Sequence, residues 1–353
     1  MDFSRDILKW YFDKRRDFPW RMTKNPYKIW LSEIILQQTR TSQGLNYYIK
    51  FINTFPKIKD LAEAKEEEVL KLWQGLGYYS RARNLHKSAK YIHETLNGEF
   101  PKTYNELLKL KGVGPYTAAA MSSICFKEKK AAVDGNVYRI LSRVFDIDEP
   151  INSSKGIKVY QELADELISD KNPGDYNQAL MDLGATLCKP KNPNCILCPV
   201  EGICLAKAKK TIDIRPIKLK KVKVRNRYFN YFCIETPEQF LMKKRTTDDI
   251  WKNLYDFPLL ELPQEISQLS PKHINFIKKF VKKDTFKHLK TTPIKHKLSH
   301  QNLHINIFHI KAKTVIQPNG ILAINKNTIP ELPVPKPIEL FFQQLSNSLD
   351  SKG

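Results

Sequence analysis

The stretch "LKGVGPYTAAA", residues 110–120, ends one helical segment and opens another. Gly112 and Gly114 can adopt positive φ and admit a close backbone. Pro115 suits the first turn of a helix, where its missing N–H leaves no bond unmade. The helix that follows then turns its free amides and the positive end of its dipole toward an anion. The layout is that of a helix–hairpin–helix, in which Gly112, Val113 and Gly114 hold a nucleic-acid phosphate without reading bases. A plain tight turn between two helices reads equally well from these residues alone, so the surrounding sequence must decide.

Outward from this turn, residues 1–206 carry helical periodicity in nearly every segment. Examples are "DILKWYFDKRR", "YKIWLSEIILQQ", "ARNLHKSAKYIHETL" and "VYRILSRVF". Residues 207–225 are basic, contain a proline and read as a linker. Residues 226–345 change pattern. "RYFNYFCIET", "QFLMKKR" and "LHINIFHIKA" are β-branched and aromatic, as strands are, and a helix fits around 272–283. Residues 346–353 read as a frayed tail.

The 353 residues carry a net charge of +22. Residues 1–210 hold 34 Lys+Arg against 25 Asp+Glu, and residues 211–353 hold 25 against 12. Two basic halves suit one shared polyanion, with phosphate neutralisation as the driving term. A generally lysine-rich composition is the blander source of such a charge. No apolar run is long enough to span a bilayer, and the N-terminus lacks the apolar core of a secretory signal. The expected location is the cytoplasm, in association with the nucleoid. A membrane partner is not expected.

Four of six cysteines fall in "CKPKNPNCILCPVEGIC", residues 188–204. The spacing C-x6-C-x2-C-x5-C places Cys188, Cys195, Cys198 and Cys204 in one compact loop. Four thiolates so arranged suit a [4Fe–4S] cluster. Structural zinc is the competitor, although it usually uses two short Cys pairs and one is present here.

A helix–hairpin–helix followed by this cysteine pattern resembles the endonuclease III superfamily of base-excision glycosylases. "DFPWR" (17–21), "WLSEIILQQTR" (30–40), "GLGYYSRARNLH" (75–86), "GVGPYT" (112–117) and "VDGNVYR" (133–139) resemble its MutY-type adenine DNA glycosylases. The resemblance is dense over residues 1–205 and thinner beyond. It implies a mainly α N-terminal helix–hairpin–helix glycosylase domain with an iron–sulfur loop, joined to an α+β Nudix-like C-terminal domain. It also implies a monomer acting on double-stranded DNA that carries adenine opposite 8-oxoguanine or guanine.

The chemistry so implied needs an acid and a nearby anion. Adenine leaves poorly as an anion, and the deoxyribose passes through an oxocarbenium-like state. By resemblance Glu33 protonates adenine and later activates water. Its helical neighbours Ile29, Trp30, Leu36 and Gln37 would partly bury it and favour the protonated form. Asp134 precedes the stripe Val137, Ile140, Leu141, Val144 and Phe145, which makes it a good N-cap. By resemblance it is also the carboxylate that stabilises the cation, with Asn136 orienting it or the water. Members of the superfamily that nick the strand carry a Schiff-base lysine where this chain has Tyr116. The tyrosine implies release of the base with little or no lyase activity, and by resemblance its hydroxyl supports the Asp134 side of the site.

The target base must leave the helix stack. The resemblance assigns Gln38 and Tyr78 to wedging the duplex, and Trp20, Arg21, Leu36 and Gln178 to lining the adenine pocket. Core packing is the alternative for Trp20 and Leu36. In the C-terminal half, residues 250–285 show no Arg-Glu pair and no glutamate cluster of the kind a Nudix hydrolase uses. A DNA reader is expected there. Leu298, Ser299 and His300 resemble the family's 8-oxoguanine-sensing Phe-Ser-His triplet, with leucine in place of the aromatic wedge. His296, His300, His304 and His309 are expected to be solvated or DNA-facing rather than metal ligands. A glycosylase for thymine opposite guanine is a neighbouring reading. A non-catalytic damage binder or redox sensor is a more distant one.

Overall fold

A computed structural model of the chain describes residues 2–219, 224–266, 268–282 and 286–350, without the side chains of 348–350. It divides into two compact units, Met1–Glu63 with Asn84–Lys221, and Ala64–Arg83 with Val222–Gly353.

The first unit is helical. Phe3–Lys14 starts on Asp2, whose carboxylate accepts from the Ser4 and Arg5 amides at 3.1 and 3.2 Å. Its inward residues Phe3, Ile7, Leu8 and Tyr11 recur at helical spacing. They share a core with Ile140, Leu141, Tyr160, Tyr176 and Leu183. Burying each large apolar side chain of this kind stabilises by roughly 1.5–3 kcal/mol. Gly135–Val144 and Pro173–Thr186 contribute to this core, Pro115–Phe126 packs on Pro173–Thr186, and Pro26–Leu36 packs on Pro115–Phe126. Three of the four have proline in the first turn.

Residues 207–219 are more ordered than the expected linker. A short helix, Leu205–Ala208, and a 3-10 turn, Ile212–Ile214, run through them. Arg215 pairs with Asp146 at 2.9 Å, and the Ile151 amide donates to the Ile217 carbonyl at 3.0 Å. These partners lie far back in the chain, so local composition could not show the docking. Residues 220–223 lie outside the described residues.

The second unit holds a seven-stranded sheet: β1 Arg225–Glu235, β2 Gln239–Lys244, β3 Tyr255–Asp256, β4 Leu259–Leu262, β5 Phe286–Lys297, β6 Gln301–Ala312 and β7 Leu322–Asn325. The order is β3-β2-β1-β6-β5, with β4 on β1 and β7 on β2. β1 and β6 pair in parallel, with Phe232 opposite Phe308, and the other pairs are antiparallel. This parallel pair is covered on both faces, which explains the near-continuous apolar runs of its two strands. It also corrects the reading of His309, which is buried with Nε2 2.6 Å from the Glu235 carboxylate.

Helix Glu66–Leu72 belongs to this unit. Glu67 accepts from the Tyr255 hydroxyl at 2.7 Å and from Lys244 at 2.8 Å. The helix expected near 272–283 spans Pro271–Ile277. A second helix, Lys336–Asp350, runs through most of the expected tail, with residues 351–353 outside the described part. Its Ile338 and Phe341 are buried, and Phe341 packs edge-on against Phe257 at 5.8 Å. That apolar stripe was the available signal for this helix.

Candidate active site

Glu33 sits in the middle of Pro26–Leu36, a helix whose Ile29, Trp30, Leu31, Ile34 and Ile35 are all buried. A helix apolar on every side is enclosed, and its one carboxyl is carried inside with it. Burial raises the Glu33 pKa from 4.5 to about 7. A hydrogen bond from the Tyr116 hydroxyl opposes the rise, the Asp134 charge adds to it, and Arg21 opposes it. Burial is therefore fuller than its helical neighbours alone implied.

Asp134 is the N-cap of Gly135–Val144. One carboxylate oxygen accepts from the Asn136 and Val137 amides at 2.8 and 2.9 Å. The other accepts from the Asn136 side chain at 2.7 Å. Burial raises the Asp134 pKa, and these donors oppose it. Asn136 is held in turn by Arg139, which donates to its Oδ1 at 2.8 Å and to the Gly184 and Cys188 carbonyls at 2.9 and 2.7 Å. The Tyr116 hydroxyl also meets the Met181 sulfur at 3.3 Å.

Glu33, Asp134, Asn136 and Tyr116 line one cavity of about 200 Å³ with Trp20, Arg21, Leu36 and Gln178. Eight of the residues picked from the sequence thus meet. Trp20 is also core, stacked on Phe18 at 4.9 Å and edge-on to Tyr48 at 5.1 Å. Arg21 is committed elsewhere: both its terminal nitrogens donate to the buried Asp182 carboxylate, which also takes Arg16. No lysine lines this cavity among the described residues.

Gln38 and Tyr78 stand outside it. Each is exposed and each adopts a left-handed backbone, with φ of 55° and 46°. Gly112 has φ of 81°, and a Cβ there would come within 2.8 Å of the Asn84 Cβ. Gly114 has φ of −95° with open space beside it, so the freedom expected of it is not used. Val113 is buried, which leaves its backbone as the part able to face a phosphate.

The second unit has its own cavity, of about 490 Å³, lined by Tyr78, Leu298, Ser299, His300, His296 and Trp251 among others. The Leu298–His300 triplet is the tip of the β5–β6 hairpin, closed by the Leu298 amide on the Gln301 carbonyl at 2.8 Å. Arg227 holds Asp249, another residue lining this cavity, through two 2.8 Å bonds. Sequence reasoning missed Asp182, Tyr11, Arg227 and Trp251. Helical spacing placed Tyr11 inward, but nothing local marked the others.

Cys188, Cys195, Cys198 and Cys204 are unpaired, half-buried and line one further cavity with Ile140, Val144 and Leu183. Arg143 Nη1 lies 3.5 Å from the Cys188 sulfur. Four thiols and an apolar wall, with Arg143 and Lys207 beside Glu201, are a donor set that fits an anionic iron–sulfur cluster. No group of three or more His, Cys, Asp or Glu among the described residues is arranged around a single metal ion.

Residues 31–165 match the HhH-GPD superfamily base excision DNA repair protein family, and residues 230–344 match the NUDIX domain family. Over 344 residues the chain is 36% identical to the adenine DNA glycosylase of Buchnera aphidicola from Schizaphis graminum, covering 96% of each. The chain belongs to the adenine DNA glycosylase family. It is accordingly a base-excision-repair DNA N-glycosylase, a hydrolase of N-glycosyl bonds. Human adenine DNA glycosylase is 43% identical over 58% of this chain and 39% of its own length. A solved thermostable thymine-DNA glycosylase is 33% identical, with a TM-score of 0.55 over 59% of this chain and 95% of that one. An endonuclease III–DNA complex, at 23% identity and TM-score 0.50, shares the fold. The chain thus combines an N-terminal helical HhH-GPD domain with a C-terminal Nudix-like domain built on a mixed sheet. No described helix is long and apolar enough to cross a membrane.

Proposed function

We propose that the chain excises adenine opposite 8-oxoguanine or guanine by protonating the base from Glu33. The observation that carries this reading is a buried carboxyl with its pKa lifted to about 7, hydrogen-bonded by Tyr116 in a cavity that also holds Asp134. Such an acid still holds its proton near neutral pH and delivers it to adenine N7. The C1′–N9 bond then breaks, its electron pair leaves with the base, and positive charge spreads over C1′ and the ring oxygen. The Asp134 carboxylate faces that charge, held by the Asn136 side chain and two amides. Glu33, now ionised, takes a proton from the water that adds to C1′.

Tyr116 has no amine for an imine, and among the described residues no lysine lines the cavity. Both support a product left as an abasic site with little or no strand cleavage. Gln38 and Tyr78, exposed on left-handed backbone, serve as wedges into the duplex. Gly112, Val113 and Gly114 hold a phosphate. Leu298, Ser299 and His300 read the base opposite adenine. The protein acts as a monomer in the cytoplasm, at the nucleoid. Cys188, Cys195, Cys198 and Cys204 hold a [4Fe–4S] cluster, which when bound orders a basic loop for DNA contact.

The test is single-turnover cleavage of labelled duplexes with A opposite 8-oxoguanine, A opposite guanine, T opposite guanine and A opposite T. Each is analysed with and without hot alkali. Breaks only after alkali, fastest from A opposite 8-oxoguanine, are expected. Release from T opposite guanine alone would assign the chemistry of the thymine glycosylases instead. Iron content and visible absorbance of the purified protein test the cluster.

A further inference from the structure

Resting on adenine as the excised base, we infer that Tyr11 is a positioning residue that turns Gln178 so that the pocket reads a bare ring nitrogen of the base. Tyr11 lies on Phe3–Lys14, in a stretch notable only for its helical period and outside the five family motifs. Its side chain is buried, and its hydroxyl lies 3.0 Å from Gln178 Oε1. A phenol has one proton to give, and here it gives it to the amide oxygen. The Gln178 amide is planar, so fixing Oε1 on Tyr11 turns Nε2 away from that partner. Gln178 lines the Glu33 cavity, and Nε2 is the group left to meet a base there.

The surroundings hold this arrangement. Asp182 follows Gln178 by one helical turn and grips Arg16 and Arg21, fixing the 16–21 segment over the same face. The Arg21 guanidinium lies 5.7 Å from the centre of the Tyr11 ring. Burial pushes the Tyr11 hydroxyl up to about 12, so it stays protonated and remains a donor across the working range.

A donor aimed at the base recognises a lone pair. Adenine offers N1, N3 and N7 as acceptors and its N6 amine as a donor. With N7 taken by Glu33, Nε2 is left for N1 or N3. A base carrying N–H or C–H at that position would leave the amide without a partner, which costs more than a bond exchanged with water.

The experiment compares single-turnover release of adenine, 1-deazaadenine and 3-deazaadenine opposite 8-oxoguanine. The proteins are the wild type, Tyr11→Phe, Gln178→Leu and the double variant, with melting temperature and DNA affinity measured alongside. Intrinsic lability of each analogue is common to all four proteins and cancels in the ratios. Wild type should favour adenine over one of the two analogues. Tyr11→Phe should shrink that preference by roughly three- to tenfold, the worth of one hydrogen bond, at little cost in DNA affinity. In the Gln178→Leu background Tyr11→Phe should change the preference no further.

An unchanged preference in Tyr11→Phe overturns the inference, as does an equal slowing on all three bases. So does an effect that persists without Gln178. If Tyr11→Phe does not fold, Gln178→Leu alone decides: retention of the wild-type preference overturns it. Failure of the wild type to release adenine from any duplex would overturn the functional reading itself.

Discussion

In the cavity around Glu33 the reactive side chains come from helix interiors and caps, whereas in the cavity around Tyr78 they come from turns. Glu33 is enclosed by its own apolar helix and Asp134 is pinned by three donors. Leu298, Ser299 and His300 instead stand on a hairpin tip, with Ser299 and His300 exposed. Chemistry that depends on a shifted pKa needs fixed, water-poor surroundings. Reading a base through a duplex tolerates exposed residues, because the DNA itself supplies the burial. The first cavity should therefore lose rate when altered, and the second should lose selectivity.

The sharpest way to break this contrast is Glu33→Gln. It should slow base release by 10²–10⁴-fold, the span of general acid catalysis, with duplex affinity kept. Single-turnover assays beside binding titrations check it. The wild-type rate should also fall as pH rises above about 7, where Glu33 loses its proton. The stability effect has the same origin. The folded state binds this proton more tightly than the unfolded chain, so its stabilising effect is complete below pH 4.5 and is lost as pH climbs to about 7. Glu33→Gln removes the buried anion and should be more stable than wild type by up to about 3 kcal/mol at pH 8.5. That gain should vanish at pH 4.5. Denaturant unfolding at both pH values measures it, and a slow variant that is less stable at both would sink the assignment.

Asp134→Asn separates the two roles of one residue. Asparagine caps a helix as well as aspartate, so stability should change by less than about 1 kcal/mol. The rate should fall at least about 100-fold, because the neutral amide cannot face the developing cation. Equal loss of both would make Asp134 a cap and nothing more.

The smallest effects belong to the hairpin. Leu298→Phe should raise the preference for 8-oxoguanine over guanine opposite adenine by a few-fold, since an added stacking surface is worth about 1 kcal/mol. His300→Ala should lower that preference by a similar factor. Neither should alter the rate on A opposite guanine by more than about twofold, and a large change there would tie the hairpin to the chemistry.

Some features were legible from residues alone because they are local. Asp134 as a cap, the proline-led helices, the glycine turn at Gly112 and the cysteine spacing each lie within a few residues. The two-part architecture followed from the change from helical to strand-like periodicity near residue 225. Motif resemblance then gathered residues from distant stretches, and seven residues from four of the five quoted motifs meet around one cavity together with Gln178.

What depends on distant partners was legible only in three dimensions. The docking of residues 207–219 rests on Asp146 and Ile151, and the burial of His309 rests on its strand being internal to the sheet. Asp182 reads as an ordinary helical carboxylate until Arg16 and Arg21 are seen around it. Tyr11 reads as core until its hydroxyl is found on Gln178, 167 residues away. Hydrophobic period and cap chemistry act over one or two helical turns, so a sequence displays them. Burial, and with it the lifted pKa of Glu33, is set by what packs against a side chain from elsewhere in the chain, and only the tertiary structure decides that.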